Sequence, residues 1–428
     1  MYGNKLFTTP GALFCLTFLL LAPINSIAKE GGDSNTLRTE IGWIDLGAEK
    51  NRLRENHFGD RWKKRLNIQN ALTSRTTMNP HVSFLLEPVS THSREADDLV
   101  IRRGYVRIVD GNLALKAGRE SLWWGPGRHG ALLLSNNAFP FDLLQLESEK
   151  PFHLPGPLSR LGTFEVTSFL TELEANRDVS RPRLFGLRIG YHPFSWLSIG
   201  LSRITMHSGE GRPGFGLEDL VKVYFSDGNR GGKLEVNELA GVDFRIQIPL
   251  GSGSTDSRLE FYGEYGGEDE AGFRPSKPAI LTGLEWTDKG RSLLIEYADN
   301  NIKSDGPVWY RHSVYTSGYT YRREIIGHHM GPDADDFFAR VTTPLSKKLK
   351  IGIDFDQERH GLSTPTPEKL ERYGGDLVYL FSAKLSYSFR YQYDRIKNLN
   401  RSPNPIKQTP SLQTGRNHYS VVSLTVNF

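Results

Sequence analysis

The chain has 428 residues, and its 53 Lys and Arg against 49 Asp and Glu leave a formal net charge of +4, too small at this length to support nucleic-acid binding. Apolar residues reach only 38% while aromatics make up 11% and glycines number 43, which excludes a helical bundle and a disordered chain. A large β architecture with a polar interior or surface is the remaining class.

Residues 1–28 stand apart. Lys5 supplies a positive start, residues 11–22 are a nearly unbroken apolar run, and Ser26-Ile27-Ala28 has the small residues of a cleavage site. An apolar core of about 12 residues is short of the ~20 that span a bilayer as a helix, so the segment reads as a secretory signal peptide cleaved near Ala28. Cys15, the single cysteine, lies inside it behind Phe14, where a lipoprotein anchor needs small residues. The mature chain, 29–428, is then expected to lack disulfides and thiolate chemistry.

Next come strands expected near 37–47, 64–75, 80–90, 98–109 and 112–120, running alternately up and down. The 48–63 segment between the first two reads as an outer loop, with a pattern that could form a short helix. At 118–130, G-R-E-S-L-W-W-G-P-G-R-H-G runs two tryptophans, Trp123 and Trp124, into a Gly-Pro-Gly turn. Arg128, His129, Asn136, Asn137 and Asp142 follow, in a segment stiffened by Pro126, Pro140, Pro151, Pro155 and Pro157. A stiff, polar, tryptophan-bearing segment at about 121–160 suits a plug or a ligand-facing surface at the mouth of a barrel.

Farther along, period-two alternation recurs. Val242, Phe244, Ile246, Ile248 and Leu250 alternate with Asp243, Arg245 and Gln247; Leu349, Ile351, Ile353 and Phe355 with Lys350, Asp354 and Asp356; and Leu385, Tyr387, Phe389, Tyr391 and Tyr393 with Ser386, Ser388, Arg390, Gln392 and Asp394. A soluble sandwich would pack such apolar faces together, and a membrane barrel would turn them out to lipid around a polar lumen. Tyr and Trp near the strand ends, among them Tyr191, Trp196, Trp286 and Tyr379, favour the barrel, as interface girdles do. So does the alternation of tight links (110–112, 193–195, 288–290) with long polar stretches near 207–236, 300–333, 359–372 and 396–416.

The last segment alternates Val422, Leu424 and Val426 with Ser423, Thr425 and Asn427 and stops at Phe428, a terminal aromatic expected to act as the signal for the outer-membrane assembly machinery. Counting directions back from this strand and forward from the first requires one descending strand within 131–149. The expected fold is therefore all-β: a transmembrane antiparallel β-barrel of the bacterial outer membrane with about 18 strands, long extracellular loops and short periplasmic turns.

Three blocks in order, G-R-x-x-x-W-W-G-P-G, L-L-L-S-N-N-A-F-P and P-F-x-L-P-G, resemble the Wzi-type capsule assembly family over residues 118–157. The resemblance rests on Arg119, Trp123, Trp124, Gly125, Pro126, Gly127, Ser135, Asn136, Asn137, Pro140, Pro155 and Gly156, all expected at the barrel mouth. It implies an eighteen-stranded surface lectin that retains capsular polysaccharide. Well-known members carry a periplasmic helical bundle before the barrel, and the roughly ten residues after Ala28 leave no room for one, which leaves a periplasmic partner in question.

Within 305–323, Trp309, Tyr310, Tyr315, Tyr319 and Tyr321 stand among Arg311, Arg322 and Arg323. Exposed aromatic faces beside guanidiniums would suit an acidic glycan, so this loop is the expected carbohydrate site. The expected partners are surface polysaccharide, outer-membrane lipid and lipopolysaccharide, and no nucleic acid; no cofactor and no metal are expected. Gly32-Asp33-Ser34-Asn35 lacks the buried strand that an esterase nucleophile block follows, and His328-His329 with Asp333, Asp335 and Asp336 reads as a solvated loop. No enzyme is expected. An outer-membrane porin or sugar-selective channel is the alternative on the same barrel.

Overall fold

The computed structural model describes residues 33–428 apart from 48–54, 61, 217, 220, 223–234, 252–256, 272–273, 303–305, 401, 403, 408 and 410. The expected signal peptide, Cys15 and half of the 48–63 loop lie outside the described residues.

Eighteen long strands form the wall. The first six are Ser34–Leu46, Arg65–Asn79, Val82–Ser93, Asp97–Asp110, Leu113–Glu120 and Phe141–Ser148. Thr163–Glu172, Arg183–Phe194, Leu197–His207, Asn237–Pro249, Arg258–Ala271 and Arg274–Asp288 follow. The last six are Arg291–Asp299, Ala334–Pro344, Leu349–His360, Glu368–Leu380, Leu385–Lys397 and Thr414–Asn427. Each pairs antiparallel with its chain neighbours, and the first pairs with the last from Thr36↔Asn427 to Leu46↔Asn417, so the sheet closes without an edge. The descending strand required within 131–149 is Phe141–Ser148.

Burial follows the sequence alternation with the polarity of a membrane barrel. In Arg258–Ala271, Phe261 and Tyr265 are exposed while Tyr262, Glu264 and Glu268 are buried; Ile353 is 66% exposed and its neighbour Asp354 is buried. A sandwich would show the reverse. The inward charges pair along the inner face of the wall, between neighbouring or nearby strands: Arg188 with Asp243, Arg102 and Arg103 with Glu87, and Arg340 and Arg390 with Asp354 and Asp376. Outward, aliphatic and aromatic side chains form a band fit for lipid.

The lumen is filled. Residues 121–140 and 306–333, from two outer loops, fold inward and supply most of the main hydrophobic cluster, including Trp124, Leu132, Leu134, Trp309, Tyr310, Tyr319 and Ile326. The turn at 55–60 joins them: Phe58 N–H donates to the Asn136 oxygen at 2.7 Å and Gly59 N–H to the Asn137 oxygen at 3.0 Å.

Candidate functional site: the plug and the barrel mouth

Beyond Glu120 the chain leaves the wall and turns into the lumen. Trp124 is buried edge-on against Phe169, ring centroids 5.3 Å apart, and its backbone bridges to Leu134. Trp123 Nε1 donates to the Gly127 oxygen at 3.2 Å, clamping the turn it precedes. The two tryptophans therefore anchor a reversal of the chain inside the barrel and form no interface girdle. The glycines answer to contact: a Cβ on Gly125 would lie 2.1 Å from Glu264 Oε1, one on Gly127 2.0 Å from the Gly130 oxygen, and one on Gly130 2.2 Å from His328 Nε2.

These close approaches let the plug hang its backbone on two wall carboxylates. Glu264 accepts from Leu132 N–H at 2.8 Å and Gly127 N–H at 3.3 Å. Glu296 accepts from the N–H groups of Arg128, His129 and Gly130 at 2.7, 3.1 and 3.0 Å, and from the Tyr262 hydroxyl at 2.6 Å. Arg128 reaches Glu260 at 2.5 Å and Glu285 at 3.3 Å. Glu260, Glu264 and Glu296 do not figure among the expected site residues, although the four-residue spacing of Glu260, Glu264 and Glu268 puts three carboxylates on one inward face.

Ser135, Asn136 and Asn137 splice the three inner segments. Ser135 Oγ donates to the Gly327 oxygen at 2.6 Å, Asn137 Nδ2 to the Ile325 oxygen at 3.0 Å, and Ser121 Oγ to Asn136 Oδ1 at 2.6 Å. Pro140 is buried just before the wall resumes. Two members of the motif lie elsewhere. Pro155 and Gly156 sit in the exposed 149–162 connector, where Glu149 N–H bonds the oxygen of Asn112 in the tight turn, so they occupy the periplasmic rim and not the mouth. The reason is that Phe141–Ser148 has already carried the chain across the wall. Arg119 stays at the outer rim, where its guanidinium grips Asp142 with two bonds of 2.7 Å.

The aromatics of the 305–323 loop are core residues, not exposed stacking faces. Trp309, Tyr310 and Tyr319 are fully buried, with Tyr315 and Tyr321 nearly so. Trp309 Nε1 donates to the Lys277 oxygen at 2.8 Å, and the Tyr310 and Tyr319 hydroxyls donate to the oxygens of Leu132 and Leu133 at 2.6 and 3.0 Å. Their large faces fill the lumen because both long loops must bury apolar surface inside a polar wall. Burial pushes the Tyr310 hydroxyl above the usual tyrosine range, so it remains a donor. Arg311 is half-buried in the plug, and only Arg322 and Arg323 reach solvent.

A cleft of about 390 Å³ opens at the outer end beside these arginines. Phe139 and Arg322 form its plug side, the Arg322 guanidinium 4.1 Å over the Phe139 ring, while Lys63, Gln69, Asp97 and Asp98 line the wall side. Lys63, Asp97, Asp98 and Arg322 are all exposed. Planar carboxylates, an amide and two cations within one cleft match the donor and acceptor needs of sugar hydroxyls and acidic substituents.

The His328-His329 pair is buried, unlike the solvated loop expected for it. It meets His129 of the tryptophan motif and the wall carboxylates Asp336, Asp356 and Glu358. Burial, reinforced by the neighbouring His329 and His129, holds His328 neutral. Burial also opposes a proton on His329, but the carboxylates of Asp336, Glu55 and Glu358 outweigh it and lift that imidazole to about 10.

Against known proteins, residues 44–409 match the family model described as capsule assembly protein Wzi. A Klebsiella pneumoniae protein described as an uncharacterized 55.8 kDa protein in the cps region is 30% identical over 176 residues, 41% of this chain and 34% of that protein, so the match spans about a third of that relative's length. Among solved structures, Escherichia coli Wzi, described as an outer-membrane carbohydrate-binding β-barrel involved in group 1 capsule assembly, superposes with a TM-score of 0.71 at 18% identity, over 92% of this chain and 84% of that one. Acinetobacter baumannii OccAB2 gives 0.54 at 9% identity over 93% and 100%.

Proposed function

Because the chain belongs to the capsule assembly protein Wzi family and is an integral outer-membrane β-barrel, we propose that it is a non-enzymatic lectin that holds capsular or exopolysaccharide at the cell surface. The observation that carries this reading is the plugged lumen with a polar cleft at its outer end: a filled barrel offers a binding surface where a channel offers a path. Arg322 and Lys63 are placed to grip acidic substituents, Asp97 and Asp98 to bond hydroxyls, and Arg323 extends the cationic edge. Each contact is solvent-exposed and weak, so retention comes from many repeats of one polymer engaging many copies of the protein.

The test is capsule or exopolysaccharide retention by cells carrying Arg322→Ala, Lys63→Ala and Asp98→Ala together, at normal barrel levels. Loss of polymer to the medium is expected, and full retention overturns the cleft assignment. If arginine contacts dominate, added salt weakens retention by the wild type. Solute passage is the competing reading of the same barrel and is opposed by the plug.

A further inference from the structure

Where the plug meets the wall of Ala334–Pro344 and Leu349–His360, polar atoms converge that the glycan reading leaves without a task. His129 Nε2 lies 3.4 Å from Asp336 Oδ2 and 3.5 Å from Asp356 Oδ2, and His329 Nε2 lies 3.1 Å from the same Asp336 oxygen. These are buried, and among the described residues neither Nε2, neither Asp336 oxygen and neither Glu358 oxygen makes a well-formed hydrogen bond. Buried polar atoms are costly when unpaired, so a cluster of them facing one point needs an explanation.

Geometry supplies one. Ligands about 2.0–2.2 Å from a tetrahedral ion stand about 3.3–3.6 Å from one another, close to the 3.4 and 3.1 Å that separate Asp336 Oδ2 from the two imidazole nitrogens, and the ligand atoms of His129, His329 and Asp336 all lie within 4.8 Å of one another. The imidazoles are already held: His129 stacks on Phe338 with centroids 3.8 Å apart, and the His129 and His329 rings stand edge to face at 4.6 Å. Charge points the same way. Glu55, Asp336, Asp356, Glu358 and Asp394 are gathered here, and Arg372 serves four of them, at 2.5 Å from Glu55, 3.0 Å from Asp356, 3.7 Å from Glu358 and 3.1 Å from Asp394, while Asp336 faces the histidines instead. His360 adds one contact to Glu358 at 2.9 Å. A divalent cation in the place of the proton on His329 offsets the negative charge that Arg372 leaves.

We propose that His129, His329 and Asp336 form a three-residue binding site for a zinc-class divalent cation that pins the plug to the barrel wall, with the fourth position left to solvent. Two imidazoles with carboxylates suit zinc and its transition-metal neighbours better than magnesium or calcium, which prefer all-oxygen sites. Two ligands come from the plug and one from the wall, so the ion ties the family's tryptophan motif, through His129, to the strand that carries Asp336. A cavity of about 380 Å³ lined by His129 and Asp356 reaches Val378 and Ser388 near the periplasmic ends of their strands, giving the ion a route of entry. The Asn56 amide nitrogen donates to the His129 oxygen at 2.6 Å and lies 3.2 Å from His329 Nδ1, holding the two histidines side by side.

The test uses the full barrel in detergent, stripped with chelator, dialysed against zinc chloride and assayed for bound metal, with cobalt chloride as a spectroscopic probe. The wild type should retain about one zinc per chain, show visible cobalt absorption and unfold at a higher temperature with zinc than without. Asp336→Asn and, independently, His129→Gln should lose all three signals, while Asp335→Asn, whose partner is Arg359, should keep them. Absence of zinc from the wild type, or retention unchanged in both ligand variants, overturns the site; a network held instead by a proton on His329 gives the first result.

Discussion

The backbone N–H of Gly130 donates to Glu296 Oε1 at 3.0 Å, and the amides of Arg128 and His129 donate to the same carboxylate. One buried wall side chain thus satisfies three consecutive plug amides. Hydrogen bonds to a charged acceptor contribute about 1.5–3 kcal/mol each, and stranding the donors costs more than the bonds alone. Glu296→Ala should therefore weaken plug docking by about 3–5 kcal/mol, the range for removing one partner of a buried charged group. Limited proteolysis of intact cells reads this directly: cleavage within 121–140 should appear in Glu296→Ala, with Glu296→Gln intermediate because one acceptor oxygen remains.

Gly125 and Gly127 make a sharper case. Gly125 has φ +131°, and side chains at either position meet Glu264 or the Gly130 oxygen at about the length of a covalent bond plus half an ångström. Gly127→Val should reduce outer-membrane levels and glycan retention together, whereas Gly111→Ala, in a tight turn with φ +56° and open space around it, should cost only about 1 kcal/mol of local strain. Equal effects from the two variants would refute the keystone role of the Gly-Pro-Gly turn.

Tyr310 tests how the two long loops hold each other. Its hydroxyl donates to the Leu132 oxygen and accepts from His328 N–H at 3.0 Å, so Tyr310→Phe strands two buried backbone groups while leaving the ring in place. A loss of about 1–3 kcal/mol is expected. Hydrogen exchange should rise at His328 and Met330 before it rises in the wall; unchanged protection there would show that the hydroxyl contributes nothing.

Phe428 closes the terminal strand, exchanging backbone bonds with Asn35 and standing exposed on the barrel exterior. Deleting it should leave the pairing of the last strand largely intact yet lower the amount of barrel in the outer membrane, with periplasmic intermediates accumulating. Normal levels of heat-modifiable barrel would remove its role as an assembly signal.

Much of the wall was legible because period-two alternation records which face meets lipid and which meets the lumen, and the parity of turns and loops then forces eighteen strands, including Phe141–Ser148. The interior was not. The same local pattern of tyrosine, tryptophan and arginine fits an exposed sugar platform and a buried plug, and only the polar wall around 306–333 decides that Trp309 and Tyr310 turn inward. For the same reason His328-His329 reads as solvated until Asp336, Asp356 and Glu358 are brought beside it by strands up to about thirty residues away in the chain. Glu264 and Glu296 carry no motif at all. Their role follows from the backbone of another segment lying against them, a contact between residues more than 130 positions apart.

Ion conductance of the purified barrel in planar bilayers tests the central claim, a plugged barrel that binds polymer at its mouth, most directly. Near-silence is predicted for the wild type, with steady conducting states appearing in Glu296→Ala as the plug comes loose. A steady, large open channel in the wild type would contradict the claim and assign the chain to solute passage.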